Sequence, residues 1–347
     1  MKKFVKWLLV LGLIVGGYYG FWLAYGTAVD WKPAERIEIN PIGNGQVLPE
    51  DSVFSFMIWN VGFTGQGAET SFFFDDGETV ILEERLVMKN LRGISNFIAE
   101  HEGIDFWMLQ EVDSIAKRSH GISHLEEFNK SVPEFERGFA LNFNHDFIPI
   151  PVLSPYGEAR SGLMTLSRYA CQDYTRVNFS TEYDWPTRIF YLDRCFLAQR
   201  CPLAGGKDLV LINTHCSAYD EEGSMVATQI KEISDFAEAE YQKGNYVVIG
   251  GDWNQCPPNY EPIDPNGGYN EFILQNDQLP EGFEWIADPT IPTNRKTSEV
   301  YKKGETYTSV IDHFAISPNL QVEEIAVQDL NFQFSDHQPV KLKVRLR

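Results

Sequence analysis

The sequence predicts a layered α/β fold with mixed β-sheets, preceded by one N-terminal apolar helix. Strand-like and helix-like segments alternate in the first part of the body, and strand-like segments dominate the later part. The 43% hydrophobic and 14% aromatic content is typical of a packed globular protein. A chain of 347 residues is long enough for one large domain or two ordinary ones. These observations predict a folded body over residues 53–347.

The N-terminal segment is predicted to belong to a membrane or an export pathway. Three lysines lie among the first six residues, and an uncharged run extends from Trp7 to Val29. This run is close to the roughly 20 residues that span a bilayer as a helix, and the lysines favour a cytoplasmic N-terminus. We therefore predict a signal anchor over residues 1–29, which makes a single-pass protein of the cell membrane with an extracytoplasmic body. The alternative is a cleaved signal peptide, which gives a secreted protein.

Residues 30–52 have the composition of a linker, since they include three prolines and two glycines. The formal net charge of the chain is -20. Such an acidic protein is a poor candidate for a broad electrostatic grip on nucleic acid, or for docking on anionic lipid through basic patches. Net charge excludes neither substrate, because a local basic cleft is enough to bind one.

The cysteines give no metal site and no certain pairing. Five cysteines are present, and none of them has the paired spacing of a zinc site. A disulfide between Cys195 and Cys201 is one pairing open to a protein outside the cytoplasm. Cys216 directly follows His215, but adjacent residues of a strand point to opposite faces, so a cysteine and histidine nucleophile pair is not expected.

Apolar segments of strand length recur along the body, and two amphipathic segments have helical spacing. The predicted strands cover residues 54–60, 104–111, 160–168, 188–200, 208–213, 247–250 and 339–345. The predicted helices are residues 83–100 and a segment that runs through Val226 and Tyr241 and ends at Gly244.

Two loops carry side chains that suit either a structural or a substrate-binding role. Residues 64–77 include three consecutive phenylalanines, Phe72–Phe74, which we predict to pack beneath the core. The alternative is a rim that contacts an apolar substrate. Residues 113–120 form a polar loop with Asp113, Lys117, Arg118 and His120. Solvation explains these side chains, although a basic pair near a site could hold a phosphate.

Polar side chains accumulate after the apolar segments. Each alone is an ordinary turn or core residue, but a buried carboxylate is costly unless it is paired or bound to a metal. Together they indicate a hard-metal site with histidines. The eight positions are Asn60, Glu111, His215, Asp252, Asn254, Asp312, Asp336 and His337.

In this order and with their neighbours, these residues resemble the motifs of the endonuclease/exonuclease/phosphatase superfamily. That group includes pancreatic-type DNases, abasic-site nucleases, neutral sphingomyelinases and inositol polyphosphate 5-phosphatases. The resemblance covers residues 53–347 and implies a four-layer α/β sandwich, with two central mixed β-sheets flanked by helices and the site at one end. The matching motifs are Trp59-Asn60, Gln110-Glu111, Asn213-Thr214-His215, Gly251-Asp252-Trp253-Asn254, Ile311-Asp312-His313 and Ser335-Asp336-His337.

The resemblance also implies a divalent cation, usually Mg²⁺, with Mn²⁺ or Ca²⁺ as alternatives. Glu111 would hold this cation with help from Asn60 and Asp336. On the substrate side, Arg160 lies where some relatives have a phosphate-contacting residue. His120 is a candidate replacement for a tyrosine that nuclease relatives have after the glutamate motif.

The resemblance implies catalytic roles for five further side chains. His337, oriented by Asp312, would activate or stabilise the nucleophile. Asp252 and Asn254 would position the water and the pentacovalent phosphate, and His215 would donate to a non-bridging oxygen. Whether His337 or Asp252 is the general base stays open, because both kinds of group can accept the proton.

The sequence thus predicts a membrane-anchored or exported, metal-dependent hydrolase of phosphate esters. The anchor and the aromatic loop favour a sphingomyelinase-like phosphodiesterase that acts on a phospholipid. An extracytoplasmic DNase is the first alternative, and a catalytically inactive binding module of the same fold is the second. No protein partner is predicted.

Overall fold

The structure is a computed structural model that describes residues 2–49, 53–218, 223–261 and 272–347. Within these residues, four α-helices are present: α1 (Lys2–Val29), α2 (Glu84–Glu100), α3 (His124–Ser131) and α4 (Ser224–Gln242). Short 3₁₀ helices cover Gly62–Thr64, Phe73–Asp75, Thr187–Phe190 and Asn276–Gln278. The two helices predicted in the body correspond to α2 and α4.

Fifteen strands, numbered in chain order, lie in the described part of the chain. They are β1 (Arg36–Glu38), β2 (Val53–Asn60), β3 (Phe106–Ala116), β4 (Glu136–Ile148), β5 (Gly157–Ser167), β6 (Gln172–Asn178), β7 (Cys195–Pro202), β8 (Asp208–His215), β9 (Tyr246–Asp252), β10 (Glu284–Ile286), β11 (Asn294–Arg295), β12 (Thr308–Ser309), β13 (Asp312–Ile316), β14 (Leu320–Val327) and β15 (Val340–Leu346).

Two mixed sheets pack face to face. The seven-stranded sheet has the order β1-β6-β7-β8-β9-β13-β10, and the six-stranded sheet has the order β14-β15-β2-β3-β5-β4. Their apolar inner faces share one core, which includes Phe56, Val248 and Phe314. Gly250 allows this close packing, because a Cβ there would lie 2.7 Å from the ring of Phe314 and 2.8 Å from Ile58.

Helices cover the outer faces of both sheets. The apolar face of α2, including Leu91 and Ile94, packs with Trp59 and Trp107 of the six-stranded sheet. On the other side, α4 packs through residues such as Ile233 against the seven-stranded sheet. The predicted α/β fold, with two mixed sheets flanked by helices and a preceding apolar helix, is confirmed.

The segment predicted as a linker is instead part of the folded body. Strand β1 pairs antiparallel with β6, and further bridges join Ile42 to Arg137 and Gln46 to Tyr169. Leu48 is buried in the core between the sheets. Main-chain pairing needs no apolar pattern, so prolines and glycines did not exclude it. Residues 50–52, the end of the predicted linker, lie outside the described residues.

Two predicted strands have different bounds. The segment 188–200 begins with the end of a 3₁₀ helix, and its strand, β7, starts only at Cys195. Strand β3 does not end at Glu111 but continues to Ala116, through a bulge between Leu109 and Val112. A bulge lets a strand turn one side chain out of register and continue. The residues that begin the predicted polar loop 113–120 therefore belong to a strand.

The disulfide joins Cys171 to Cys201, so the suggested pairing of Cys195 with Cys201 is wrong. Both residues of that suggested pair lie in β7, and six residues of extended strand separate them by roughly 20 Å. Cys171 directly precedes β6, in which Gln172 pairs with Arg200 of β7. Neighbouring strands thus bring Cys171 and Cys201 together, whereas Cys195 is buried as a free thiol.

Helix α1 is long and apolar enough to be a membrane span, and a signal sequence near an N-terminus has the same properties. Its C-terminal half contacts the body. The hydroxyl of Tyr18 donates to the carbonyl of Pro149 at 3.1 Å, and Trp22 stacks on Phe147 with ring centroids 4.4 Å apart. Gly26 is the buried residue of α1 and lies against Phe190.

Candidate active site

Polar strand ends meet around a cleft of about 440 Å³ at one end of the sandwich. Strands from both sheets contribute, because β2, β8 and β9 end there, β13 begins there and β3 bulges there at Glu111. Seven of the eight predicted strand-end residues line the cleft, namely Asn60, Glu111, His215, Asp252, Asn254, Asp336 and His337. The eighth, Asp312, lies directly behind His337.

Two buried amides hold the sheets together just below the cleft. Gln110 of β3 donates through Nε2 to Oδ1 of Asn213 in β8, at 2.7 Å. Asn213 Nδ2 in turn donates to the carbonyls of Leu109 and Met164, at 3.2 and 3.1 Å. Because buried polar groups are costly unless paired, these bonds fix the position of one sheet on the other. The residues that follow Gln110 and Asn213 then enter the cleft at fixed positions.

Asp252 is centred in the site by its strand register. It pairs across the seven-stranded sheet with His215 on one side and Asp312 on the other. The preceding Gly251 has φ +148°, and a Cβ there would lie 1.9 Å from the carbonyl oxygen of Thr214. A glycine is therefore required for the two strands to approach and carry Asp252 and His215 to the same edge.

Both carboxylate oxygens of Asp252 accept hydrogen bonds. Asn60 Nδ2 donates to Oδ2 and the Asn254 backbone N–H donates to Oδ1, each at 2.9 Å. The same oxygen Oδ2 lies 3.4 Å from His215 Nε2 and 3.7 Å from His337 Nε2. Burial raises the pKa of Asp252, but the two histidines and these hydrogen bonds outweigh it and hold the pKa below its ordinary value. Asp252 is thus an anion at neutral pH.

His337 is held between two carboxylates and an amide. Its Nδ1 lies 2.8 Å from Asp312 Oδ2, and its Nε2 lies 3.0 Å from Asn294 Nδ2. Burial lowers the pKa of His337, but the carboxylates of Asp312, Asp252 and Asp336 together raise it well above the ordinary value. A carboxylate on Nδ1 fixes the ring orientation and leaves Nε2 directed into the cleft.

His215 has the opposite electrostatic character. Burial, assisted by the nearby Arg194 guanidinium, holds the pKa of His215 well below its ordinary value. Its Nδ1 is buried without a hydrogen-bond partner, and its Nε2 lies 4.0 Å from Glu111. The site therefore combines a neutral imidazole with a charged one, which are distinct donors for one phosphate group.

Glu111 is a cleft carboxyl group with an unpartnered oxygen. It has φ 57°, a left-handed conformation that occurs at the bulge of β3 and turns the side chain into the cleft. Burial, followed by the nearby carboxylate of Asp336, raises the pKa of Glu111 to about 8. Its Oε2 is buried without a hydrogen-bond partner. A side chain in this state is suited to a cation, which compensates the charge.

Asn60, Glu111 and Asp336 offer the oxygen ligands that a hard divalent cation prefers. Asp336 comes close to the chain at Gly62, where a Cβ would lie 2.6 Å from its Oδ1. These residues suit a cation for two reasons. Glu111 Oε2 has no hydrogen-bond partner, and a cation would offset the repulsion between the carboxylates of Glu111 and Asp336. A second group, Asp252, Asp312 and His337, has ligand atoms within 4.8 Å of one another. The hydrogen bond between His337 and Asp312 occupies two of those atoms, so that group is better suited to proton transfer.

Two predicted substrate-binding residues do not reach the cleft. Arg160 is paired with the carboxylates of Glu158 and Asp146, on the hairpin of β4 and β5. His120 bonds through Nε2 to the carbonyl of Leu82 at 2.8 Å. Neither residue is part of the cleft lining. Both assignments are corrected, because local partners take the polar groups that a phosphate would need.

Arg194 and Asn294 are cleft residues that the sequence did not indicate. Arg194 donates to the carbonyl of His215 at 3.3 Å and has a buried Nε without a partner. Asn294 Nδ2 lies 3.0 Å from His337 Nε2, and the two residues also form an isolated antiparallel backbone bridge. Arg194 was assigned to the interior of a predicted strand, and Asn294 follows no apolar run. No signal of the kind used above identifies either residue.

An aromatic wall rises from this polar floor. We use the name aromatic wall for Phe63, Phe72, Phe74, Phe143, Tyr156, Phe190 and Tyr191, which line the cleft. Phe72 and Phe74 are close to each other, with ring centroids 5.5 Å apart, and Phe74 lies 6.0 Å from Tyr156. Phe72 and Phe74 thus line the site, as the alternative prediction has it. Phe72 and Phe73 also pack, partly buried, against a small core cluster, as the favoured prediction has it.

One family model and several solved structures match this chain. The model of the Endonuclease/Exonuclease/phosphatase family matches residues 57–337. No curated protein sequence matches the chain at a significant level. Among solved structures, an endonuclease/exonuclease/phosphatase from Beutenbergia cavernae DSM 12333 is similar, with a TM-score of 0.56 and 18% identity, over 85% of this chain and 72% of that one.

Two further structures are similar in fold. D. rerio TDP2, complexed with a single-strand DNA product, has a TM-score of 0.53 and 14% identity over 85% of this chain and 99% of its own. ANGEL2, a 2',3'-cyclic phosphatase in complex with adenosine-2',3'-vanadate, has a TM-score of 0.54 and 17% identity over 89% of this chain and 99% of its own. At these identities the likeness concerns the fold alone.

Proposed function

Because this chain belongs to the endonuclease/exonuclease/phosphatase family, whose members are phosphoesterases, we propose that it is a Mg²⁺-dependent phosphodiesterase of the cell membrane. Its substrate in this proposal is a phospholipid, its anchor is α1, and its body is extracytoplasmic. The observation that carries the proposal is the cleft itself. A polar floor suited to a phosphate ester lies below an aromatic wall that adjoins the apolar helix.

The cation in this proposal is held by Asn60, Glu111 and Asp336. When bound, Mg²⁺ would polarise the phosphoryl oxygens and stabilise the charge on the leaving oxygen. Mn²⁺ or Ca²⁺ would suit the same oxygen ligands. The unpaired Oε2 of Glu111 supports this assignment, since a buried carboxylate oxygen without a donor is otherwise rare.

The proposed chemistry is attack of a water molecule on phosphorus, opposite the ester oxygen that leaves. Asp252 takes the proton of the water, because it is ionised at neutral pH. His337, oriented by Asp312, carries positive charge and stabilises the non-bridging oxygens. The phosphorus–oxygen bond to the leaving group then breaks, and the leaving oxygen takes a proton from solvent.

Two other side chains position the phosphate in this scheme, and Asn254 positions Asp252. His215 is neutral and donates one hydrogen bond to a non-bridging oxygen. Arg194, next to His215, offers a charge-assisted donor to the phosphate and so takes the role first assigned to Arg160. Asn254 keeps Asp252 in position through its backbone N–H.

The cleft walls favour a lipid over nucleic acid. Binding of a polyanion depends on cations free to pair with successive phosphates. Arg118 of the cleft lining is instead paired with Asp113 at 2.7 Å. Arg295 is buried and donates to the backbone carbonyls of Gln66, Gly67 and Thr70. Together with the net charge of -20, this leaves little basic surface for DNA.

An extracytoplasmic nuclease is the second candidate. The specific observation in its favour is the similarity to D. rerio TDP2, whose structure contains a single-strand DNA product. Lys296 at the edge of the cleft could contribute to such a substrate. Aromatic residues of the wall could also stack on bases, because stacking is tolerant of sequence.

The test is hydrolysis by the full chain, reconstituted in vesicles that contain phosphatidylcholine and sphingomyelin, with plasmid DNA assayed in parallel. Each assay is run with Mg²⁺ and with EDTA. The matched variants are Asp252→Asn at the cleft end of the sheet and Asp208→Asn at the far end of β8. We expect phospholipid turnover that needs Mg²⁺, is lost in Asp252→Asn and is retained in Asp208→Asn.

The other outcomes separate the alternatives. Turnover of DNA without turnover of lipid would move the assignment to a nuclease. Stabilisation by Mg²⁺ without hydrolysis of either substrate would favour an inactive binding module. Lipid turnover that survives EDTA would overturn the role given to Glu111.

A further inference from the structure

The loop that joins β4 to β5 is an unusual surface feature of the body. Residues 148–156 include no charged residue. Within them, Ile150, Val152 and Leu153 are 37%, 43% and 99% exposed. Three exposed aliphatic side chains within four residues give the loop an apolar character, and clustered exposed apolar residues mark candidate interaction sites.

This loop lies beside α1, at a defined height along that helix. The bond from Tyr18 to the carbonyl of Pro149 attaches the start of the loop to α1. Nearer the C-terminal end of α1, Trp185 is 55% exposed and donates to Thr27 Oγ1 at 3.0 Å. Exposed tryptophans are characteristic of the membrane interface, where the ring is apolar and the N–H can stay hydrated.

The length of α1 gives the depth of the loop. A helix of 28 residues is about 42 Å long, and the hydrocarbon core of a bilayer is about 30 Å thick. At most about 12 Å of α1 can therefore project on the outer side. Tyr18 lies about 16 Å before the end of the helix at Val29. Even when α1 projects by that full length, the contact between Tyr18 and Pro149 lies at the outer boundary of the hydrocarbon.

We propose that the loop 149–155 and Trp185 form a bilayer-docking surface, in which Leu153 inserts into the outer leaflet and Trp185 lies at the headgroup level. This inference rests on the proposed anchoring by α1, and it adds a second membrane contact to that anchor. The occupant of the surface is the lipid of the membrane that α1 spans. The continuity of the loop with α1 and the absence of charge in residues 148–156 support this choice.

The docking surface explains how a lipid would reach the floor of the cleft. Phe143 of β4 and Tyr156, the last loop residue before β5, belong to the aromatic wall. Phe190, another wall residue, packs against Gly26 of α1. The mouth of the cleft thus adjoins both membrane-facing elements. A phospholipid headgroup could enter from the leaflet without the whole molecule leaving the bilayer.

The test measures the depth of single labelled positions in the full chain. A maleimide fluorophore is attached at Leu153→Cys, and the protein is reconstituted in vesicles with nitroxide-labelled acyl chains. The native free cysteines are buried. Leu13→Cys, on the 77% exposed face of α1, reports on anchoring, and Gly205→Cys, in open space between β7 and β8, reports on solvent. Docking to a depth of roughly 5–10 Å predicts quenching at Leu153→Cys at least about two-fold stronger than at Gly205→Cys.

The controls distinguish the failures. Quenching at Leu13→Cys without quenching at Leu153→Cys would overturn the docking surface and leave the anchor intact. Absence of quenching at both positions would overturn the anchoring on which the inference rests.

A charge variant gives a functional readout of the same surface. We expect Leu153→Glu to reduce turnover of vesicle lipid roughly ten-fold, because a carboxylate is costly at this depth. Turnover of a water-soluble phosphodiester should stay unchanged, since Leu153 does not line the cleft. Val300→Glu is the matched control, because Val300 is 47% exposed and also lies outside the cleft lining. Equal turnover of vesicle lipid by Leu153→Glu and Val300→Glu would contradict the docking surface. If the unmodified protein hydrolyses neither vesicle lipid nor the water-soluble phosphodiester, the proposed function itself fails.

Discussion

The floor of the cleft and its aromatic wall are positioned by different forces. On the floor, Asp252 is fixed through backbone pairing with His215 and Asp312 in neighbouring strands. In the wall, Phe74 belongs to a 3₁₀ helix and Phe190 to another, and their rings are positioned by side-chain packing. Strand pairing fixes side chains to a fraction of an ångström, whereas packed loops tolerate adjustment.

This difference suggests a division between chemistry and substrate choice. Reaction geometry tolerates little displacement, so it benefits from side chains fixed at strand ends. Recognition of a flexible apolar group needs surface area rather than exact alignment, and packed rings can supply it. Changes on the floor should therefore abolish turnover, and changes in the wall should alter it by degrees. The variants below test this division, from the largest expected effect to the smallest.

The largest effect is expected on the floor, for His337→Ala. This change removes the charged ring between Asp312 and Asp252, and we expect kcat for the preferred substrate to fall by roughly 10³-fold. Steady-state hydrolysis by the full chain measures it. His101→Gln serves as the control, since the His101 ring stacks on Phe97 and neither residue lines the cleft. A decrease in kcat of less than ten-fold for His337→Ala would contradict the proposed role of the floor.

Arg118 lies between the two regions, and its loss should destabilise the fold. Its guanidinium pairs with the fully buried Asp113, donates to Tyr156 Oη at 2.7 Å and lies 3.2 Å from the centre of the Phe63 ring. Arg118→Met leaves the Asp113 carboxylate buried without a partner, which costs about 3–5 kcal/mol. Thermal unfolding in detergent measures the loss.

The control for Arg118→Met is Lys130→Met, which removes an exposed ion pair with Glu127. We expect that control to leave the unfolding midpoint almost unchanged, because solvent screens the pair. An Arg118→Met midpoint equal to that of Lys130→Met would mean that the wall does not depend on this buried pair.

Much of the floor could be predicted from the sequence, because Asn60, Glu111, His215 and Asp252 each follow an apolar run of a strand. The limits appear in two dipeptides that look alike, Asp312-His313 and Asp336-His337. In the first, the acid faces the cleft side, while His313 stacks on Trp253 on the opposite face of β13. In the second, both residues line the cleft, because the segment is a loop without strand alternation. Only the three-dimensional path of the chain separates these cases.

The wall and its surroundings were less predictable, for physical reasons. Packing partners such as Phe74 and Tyr156 are distant in sequence and follow no periodic pattern. Arg160 was assigned to the substrate from the resemblance, and its local partner Asp146 lies in β4, a strand that was not predicted. Polar side chains alternate irregularly along β4, so its period-two signal is weak.

Without a cation, Glu111 should make the stability of the protein depend on pH. The pKa of Glu111 is about 8 in the folded protein and near 4.5 when unfolded. Between these values the folded state binds the additional proton, so stability falls as the pH rises through this window. The slope from one such group is at most about 1.4 kcal/mol per pH unit. Above pH 8 this contribution is constant.

Glu111→Gln isolates that contribution. In EDTA, we expect the variant to lose less stability than the unmodified protein between pH 5 and pH 8, as measured by thermal unfolding. Mg²⁺ should raise the unfolding temperature of the unmodified protein more than that of Glu111→Gln, because binding to the folded state stabilises it. The cation site at Glu111 would be contradicted if the two proteins lose stability in parallel with pH in EDTA and show the same rise in unfolding temperature with Mg²⁺.

The smallest effect is expected in the wall, for Phe74→Ala. Phe74 is 42% exposed and contacts Phe73 and Tyr156, so its ring is available to an apolar part of the substrate. Losing such a contact costs roughly 1–3 kcal/mol of binding, which raises KM for vesicle lipid about ten-fold. The value of kcat should change little, because Asp252 and His337 keep their backbone-fixed positions. A water-soluble phosphodiester without acyl chains should show no change in KM, and Val300→Ala should behave as the unmodified protein does. A decrease in kcat that matches the rise in KM would show that the wall also aligns the reacting phosphate, and the division between floor and wall would then be wrong.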